Sequence, residues 1–131
     1  MAASLQLHQK QGEGKVSGIV FFKTRMLNEL KEFYINKLKC ELWLEQAECV
    51  ILRNGNLLLG FCQRETPDLE GMITFFYKTS SEVDQAYEQF KSCATTTPKM
   101  NEKYRIYHFF GKDPEKRSLE FQYFDHELPP Y

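Results

Sequence analysis

Gly71-Met-Ile-Thr-Phe-Phe-Tyr-Lys-Thr79 decides how this chain is read, because it restarts the pattern of an earlier stretch, Val16-Ser-Gly-Ile-Val-Phe-Phe-Lys-Thr24. Both are rich in β-branched and aromatic residues and are predicted as strands. Laid over each other at an offset of 53 residues, Gly18 falls on Gly71, Ile19 on Met72, Val20 on Ile73 and Phe22 on Phe75. An amphipathic helix follows each strand in the same phase, with Leu30 falling on Val83 and Tyr34 on Tyr87. In the first helix, over Asn28–Leu38, Leu30, Phe33, Tyr34 and Leu38 recur at helical spacing, and Thr24 or Asn28 is the candidate cap. In the second, Val83, Ala86, Tyr87 and Phe90 form the apolar face behind a capping sequence, Ser81-Glu82-Val83-Asp84. The identities are few. The repeated order of elements is the stronger signal, because internal repeats reflect repeated structural units.

Working outward, the first half continues with strands over Glu41–Glu45, which carries Trp43, and Glu48–Leu52. Asn54-Gly55 is a hairpin signal, since both central positions of a type I′ turn need positive φ. Asn56–Gln63 is the returning strand. In the second half, Cys93–Glu102 reads as a loop, Tyr104–Phe110 as a strand, Gly111–Lys116 as a turn and Arg117–Phe124 as the last strand. Matching the two final strands places Leu58 with Leu119 and Leu59 with Glu120. The organisation expected is a flexible leader over 1–15 and a single domain over 16–124. That domain comprises modules 16–63 and 71–124 joined by a polar linker, 64–70, and a tail follows over 125–131.

Composition narrows the function classes. The 131 residues carry 17 Lys+Arg and 18 Asp+Glu, a formal net charge of −1. Nucleic-acid binding, which needs a basic face to neutralise phosphates, is not expected. Attachment to an anionic membrane surface is not expected either. The first residues are polar, without the apolar core of a signal peptide, so a cytoplasmic location is expected. Cys40, Cys49, Cys62 and Cys93 form no CxxC pair and have no His at zinc-finger spacing. They are read as free thiols in a reducing compartment. Aromatic residues make up 15% of the chain, which promises a substantial core and leaves rings to spare.

The chain resembles the vicinal oxygen chelate superfamily, the glyoxalase / bleomycin resistance protein / extradiol dioxygenase group. The resemblance spans about residues 16–124. It is carried by the twin strand-helix openings, the Phe33-Tyr34 pair followed by Leu38, and the ending Phe110-Gly-Lys-Asp113-Pro114-Glu-Lys-Arg-Ser-Leu119-Glu120-Phe121. That ending is similar to the family's aromatic-x-x-Asp-Pro-x-Gly-x-x-hydrophobic-Glu pattern, with Lys116 where the family usually has Gly. The resemblance implies an α+β fold of two βαβββ modules. They form a curved eight-stranded mixed sheet, a cup, with helices on the outer face. It also implies that metal-dependent relatives chelate a divalent ion in the cup, through His, Gln or Glu from the first and last strand of each module.

Those ligand positions fare poorly here. A catalytic divalent metal needs about three protein donors. Ile19 has no donor, and Met72 offers a thioether that hard metals avoid. The last strand of module one offers Leu59 or Phe61. Only Glu120 matches a family ligand, so no metal cofactor is expected. His108, in the seventh strand, is the one histidine placed to join Glu120; His8 lies in the leader and His126 in the tail. Glu120 is the candidate catalytic residue, as proton acceptor or polar anchor. The bland readings are, for Glu120, an exposed or solvated carboxylate or a partner for Lys23 or Lys78, and, for His108, a bond to a strand neighbour.

Side chains alternate faces along a strand. Ile19, Phe21, Met72, Thr74, Phe76, Leu59, Phe61, His108 and Gln122 are therefore expected on the cup face as ligand-binding residues, with Glu120. The opposite set (Val20, Phe22, Ile73, Phe75, Tyr77, Leu58, Leu119, Phe121 and Tyr123) is expected under the helices. A sheet apolar on both faces either binds an apolar ligand or is covered by a second subunit. The reading that follows is a bleomycin-resistance-like homodimer binding a small apolar or aromatic molecule without metal. The alternatives are a lyase or dioxygenase working through Glu120, and a dimeric interaction module whose cup is filled.

Overall fold

The computed structural model describes residues 17–131, so the leader and His8 lie outside the described residues. Strand β1 spans Val20–Thr24. Helix α1 spans Leu27–Glu32 and widens into a π-turn over Phe33–Lys37. Strands β2 (Glu41–Gln46), β3 (Cys49–Asn54) and β4 (Leu57–Gln63) complete the first module. The second module has β5 (Met72–Tyr77), α2 (Ser80–Phe90), β6 (Lys99–Asn101), β7 (Ile106–Lys112) and β8 (Ser118–Phe124). The eight strands form two four-stranded mixed sheets, ordered β1-β4-β3-β2 and β5-β8-β7-β6. In each, the first strand runs parallel to the last and the other pairs are antiparallel. The βαβββ order is thus present twice, in an α+β architecture. Strand β6 falls within the stretch predicted as a loop.

One face of each sheet packs under its helix. Leu30, Tyr34 and Leu38 from α1 and its extension, and Val83, Ala86 and Phe90 from α2, join Val50, Leu52, Leu59, Phe61, Ile73, Phe75, Phe109, Leu119 and Phe121 in one core cluster. Phe75, Phe121 and Phe109 stack in sequence. The capping sequence of α2 begins two residues earlier than predicted. Thr79 Oγ1 accepts the Glu82 N–H at 3.1 Å, an N-cap bond, and its hydroxyl donates to the Glu82 carboxylate at 3.0 Å. At α1 neither predicted cap serves: the N-cap is Met26, without a side-chain cap, Asn28 lies inside the helix, and Thr24 Oγ1 accepts the N–H of Met26 itself at 3.0 Å.

The modules are joined through one buried cation. Arg117, fully buried, donates to Asp113 Oδ2 (2.8 Å), Glu115 Oε1 (3.1 Å) and the carbonyls of Asp68 (2.6 Å) and Lys23 (3.2 Å). Its guanidinium lies over the rings of Phe22 and Phe61, a cation–π arrangement. Tyr34 Oη, from module one, donates to the same Asp113 oxygen at 2.8 Å. Burial first, then the Asp113 charge, holds the Tyr34 phenol well above the ordinary tyrosine range. The Asp-Pro turn thus locks the two modules together, with linker residue Asp68 as part of the lock.

Lys116 completes that turn at φ 73°. The left-handed region suits glycine and is unfavourable for a residue with a Cβ. Replacing Lys116 by Gly is therefore expected to raise stability by up to about 1 kcal/mol. A higher denaturation midpoint at unchanged m-value would show it; an equal or lower midpoint would refute it.

Two features of the β3–β4 hairpin correct the sequence reading. The two-residue loop is Gly55-Asn56, flanked by the pair Asn54–Leu57, and within it only Gly55 has positive φ (60°). Glycine first in a two-residue loop is the type II′ preference, not type I′. This register sets Cys49 opposite Cys62, and the two form a disulfide. The expectation of four free thiols fails for this pair. Cys40 and Cys93 remain free, and burial raises both thiols above their ordinary range, which keeps them poor nucleophiles. The bridge spans 13 residues. Its reduction is expected to lower stability by up to about 3 kcal/mol, the chain-entropy value for a loop of this order. Urea unfolding with and without reductant measures it, and superimposable curves would refute it.

Candidate functional site

The site is built where β5, β8 and β7 run side by side. Strand β8, Ser118-Leu-Glu-Phe-Gln-Tyr-Phe124, alternates strictly. Leu119 and Phe121 go under α2, and Glu120 and Gln122 go to the opposite, cup face. Thr74 of β5 lies directly opposite Glu120, and its hydroxyl donates to Glu120 Oε1 at 2.9 Å. On the other side, His108 of β7 brings Nδ1 within 2.6 Å of Glu120 Oε2. Both side chains are 12% exposed. Each oxygen of Glu120 therefore has a partner from a different strand, and neither partner is Lys23 or Lys78. An ionised carboxylate only accepts, so with Glu120 ionised His108 carries its proton on Nδ1. The Phe110 ring lies edge-on to the imidazole, with centroids 4.9 Å apart.

In front of Glu120 lies an open cavity of about 460 Å³, walled by Thr74, Phe76, Glu120, Gln122 and Phe124 on one side and by Leu128, Pro129, Pro130 and Tyr131 on the other. Of the predicted site residues, Thr74, Phe76, Glu120 and Gln122 meet here. His108 stands behind Glu120 and is not part of the cavity wall. The tail residues were not predicted as part of any site. Their apolar run, Leu-Pro-Pro-Tyr, was the available signal.

The module-one residues are placed differently. Leu59 and Phe61 lie in the core, not on the cup face, with the Phe61 ring 4.9 Å from Tyr34 and 5.9 Å from Phe22. The register explains the reversal. Val20 pairs with Leu59 as Ile73 pairs with Leu119, so Leu59 corresponds to Leu119, and Gly60 corresponds to Glu120. A slip of one residue exchanges the faces of a whole strand. Leu58, expected under the helix, moves to the cup face by the same step. Phe21 does face the cup, and its ring fills the place a side chain at Gly60 would need: a Cβ there would run into Phe21 Cδ1 and Cε1. Phe21 over Gly60 thus stands where module two has Thr74 bonded to Glu120. By the same correspondence, the Cys49–Cys62 pair stands where module two has His108 opposite Gln122. Phe21 and the two cysteines line a second, separate cavity of about 330 Å³ with Phe22, Lys23, Gln46, Arg64 and Asp68. Ile19 and Met72 are exposed and line neither cavity.

The described residues at the cup do not supply the three His, Cys, Asp or Glu donors that a chelated divalent ion would need. Among the described residues, no group of three or more His, Cys, Asp or Glu side chains is placed to hold a metal. Glu120 and His108 supply two donors and are already bonded to each other. The site offers a hydrogen-bonded carboxylate beside an aromatic wall. Among the described residues, no helix is long and apolar enough to cross a membrane.

No protein-family model and no curated protein matches the sequence. Solved structures do match in fold. A glyoxalase/bleomycin resistance protein/dioxygenase from Alicyclobacillus acidocaldarius superposes with a TM-score of 0.68 at 20% identity, over 85% of this chain and 92% of that one. A glyoxalase/bleomycin resistance protein/dioxygenase from Nocardioides gives 0.71 at 15% identity, over 100% and 99%. A lactoylglutathione lyase from Agrobacterium tumefaciens gives 0.69 at 15% identity, over 84% and 93%. The chain has the vicinal oxygen chelate fold. At such identities the likeness extends to the fold alone.

Proposed function

We propose that this protein binds a small, largely apolar or aromatic molecule on the cup face of module two, without a catalytic metal. The observation that carries the reading is the open cavity in which Phe76 and Phe124 stand with Thr74 and Glu120, both Glu120 oxygens being bonded, one to Thr74 and one to His108 behind it. Apolar walls supply affinity, and a few fixed polar groups set orientation. Glu120 and Gln122 are the groups that would orient the ligand. Phe76→Ala is expected to weaken binding of a small aromatic probe such as 1-naphthol about tenfold or more, as the loss of a buried ring contact implies. Calorimetric titration measures it. Absence of saturable binding to the native protein, or equal affinity in the variant, would refute the reading.

A second copy of the chain is the partner in this reading. Phe21, Met72 and Phe76 are large apolar residues left exposed on the cup side of the two sheets. Such a surface is more typical of an interface than of a free monomer. Native mass spectrometry reports oligomer and retained ligand together, and a monomer at micromolar concentration would refute the dimer.

One observation favours an enzymatic second reading. The carboxylate of Glu120 is held by an imidazole on one oxygen and a hydroxyl on the other, an arrangement that fixes a proton acceptor at a cavity wall. In that case Glu120→Gln abolishes turnover while leaving the aromatic probe bound.

A further inference from the structure

Beyond Phe124 the chain folds back across the cup face. Leu128, Pro129, Pro130 and Tyr131 form one wall of the cavity whose other wall carries Glu120. The Tyr131 ring meets Phe76 edge-on at 5.2 Å, Phe76 meets Phe124 at 5.5 Å, and His126 meets Phe124 at 5.6 Å. The tail's last hydrogen bond to the rest of the protein, among the described residues, is the Asp125 N–H to the Arg105 carbonyl, 2.8 Å. Beyond it, His126 Nδ1 bonds only to the adjacent Glu127 carbonyl. Residues 128–131 are therefore held by ring and apolar contacts alone, and Tyr131 stays 76% exposed. Pro129 and Pro130 restrict φ, so little backbone freedom is lost when this wall forms.

We propose that segment 128–131 is a displaceable occupant of the cup: it competes with the ligand for Phe76, and its own chemistry describes the ligand class. That class is an aryl group joined to a compact, non-charged apolar body, which the Leu-Pro-Pro-Tyr sequence presents in cis. The inference rests on the cup of module two being the ligand site. Three features support competition over a passive role. The segment contacts the aromatic wall the ligand would use. No polar bond anchors it there. Ring contacts between exposed aromatics form and break without leaving a buried polar group unpaired. When a binding-competent state is only a fraction of the population, apparent affinity falls by that fraction.

The test compares the native chain with a Leu128→Ser/Tyr131→Ser double variant, each titrated with the uncharged aromatic dye N-phenyl-1-naphthylamine and followed by fluorescence. The expected result is binding about five- to tenfold tighter in the double variant, the gain from releasing a mostly closed state. N-acetyl-Leu-Pro-Pro-Tyr-amide is expected to displace the dye from the variant. Equal affinity in the two proteins overturns the inference, and so does weaker binding in the variant, which would make the tail part of the ligand's own wall. A further arm adds Phe76→Ala to both proteins. If the dye binds but ignores Phe76, the cup reading itself fails. If Phe76→Ala weakens the dye in both while the tail variant changes nothing, only the strap fails.

Discussion

Asp113→Ala is expected to lower folding stability by about 3–5 kcal/mol, the cost of removing one partner from a buried ion pair. Arg117 has no exposed surface on which to find water, and among the described residues its carboxylate partners are Asp113 and Glu115. Both Asp113 oxygens are in use. Oδ2 accepts from Arg117 and Tyr34, and Oδ1 accepts the backbone N–H groups of Glu115 and Arg117. The alanine variant therefore frees a buried guanidinium, a phenol and two turn amides at once. Urea unfolding gives the number. A loss below about 1 kcal/mol, the range of exposed ion pairs, would show that the cation does not depend on Asp113. The double variant Asp113→Ala/Arg117→Met is expected to be less destabilised than the two single losses added together. Removing both leaves no unpaired guanidinium, although Glu115 loses its cation, and neighbours in one network are non-additive.

Phe61→Ala is expected to cost about 3–5 kcal/mol, the range for truncating a buried ring. Phe61 has no exposure and touches the Tyr34 and Phe22 rings and the Arg117 guanidinium. Phe21→Ala is the control. Phe21 is 49% exposed, so its truncation is expected to cost well under half as much. The pair of measurements tests the register of β4 directly. If Phe61 faced the cup, the order would invert, and Phe61→Ala would be the milder change.

That contrast also shows what was legible in the sequence. Strand β8 alternates polar and apolar residues without interruption, so the side on which Glu120 and Gln122 lie followed from period two alone. The same holds for β5, whose Ile73 and Phe75 go under α2 while Thr74 and Phe76 do not. Strand β4 runs Leu57-Leu-Leu-Gly-Phe61, apolar on both faces, and carries no alternation from which a face could be chosen. Its assignment then hung on matching the final strands, and a match displaced by one residue exchanged the faces. The disulfide was hidden by a similar displacement. With Asn54-Gly55 as the loop, Cys49 and Cys62 are not partners; with Gly55-Asn56 they face each other. The His108–Glu120 pair was only one of two readings of His108: Ile106-Tyr-His-Phe-Phe110 carries no alternation that fixes its face, and the register against β8 decides it. Strand β6 was not legible, since Lys99-Met-Asn101 is three residues long and carries no alternation of its own. The tail's return to the cup is a tertiary event that local pattern does not encode.

The ring of Phe21 over Gly60 bears on how this sequence can change. Any residue other than glycine at position 60 brings a Cβ into that ring, so positions 21 and 60 are coupled. A side chain at 60 requires the half-exposed Phe21 ring to move or to be replaced. Phe21 can be lost with Gly60 unchanged and no clash, so the module-two arrangement, a hydroxyl facing a glutamate, is reached in module one most easily by changing position 21 first.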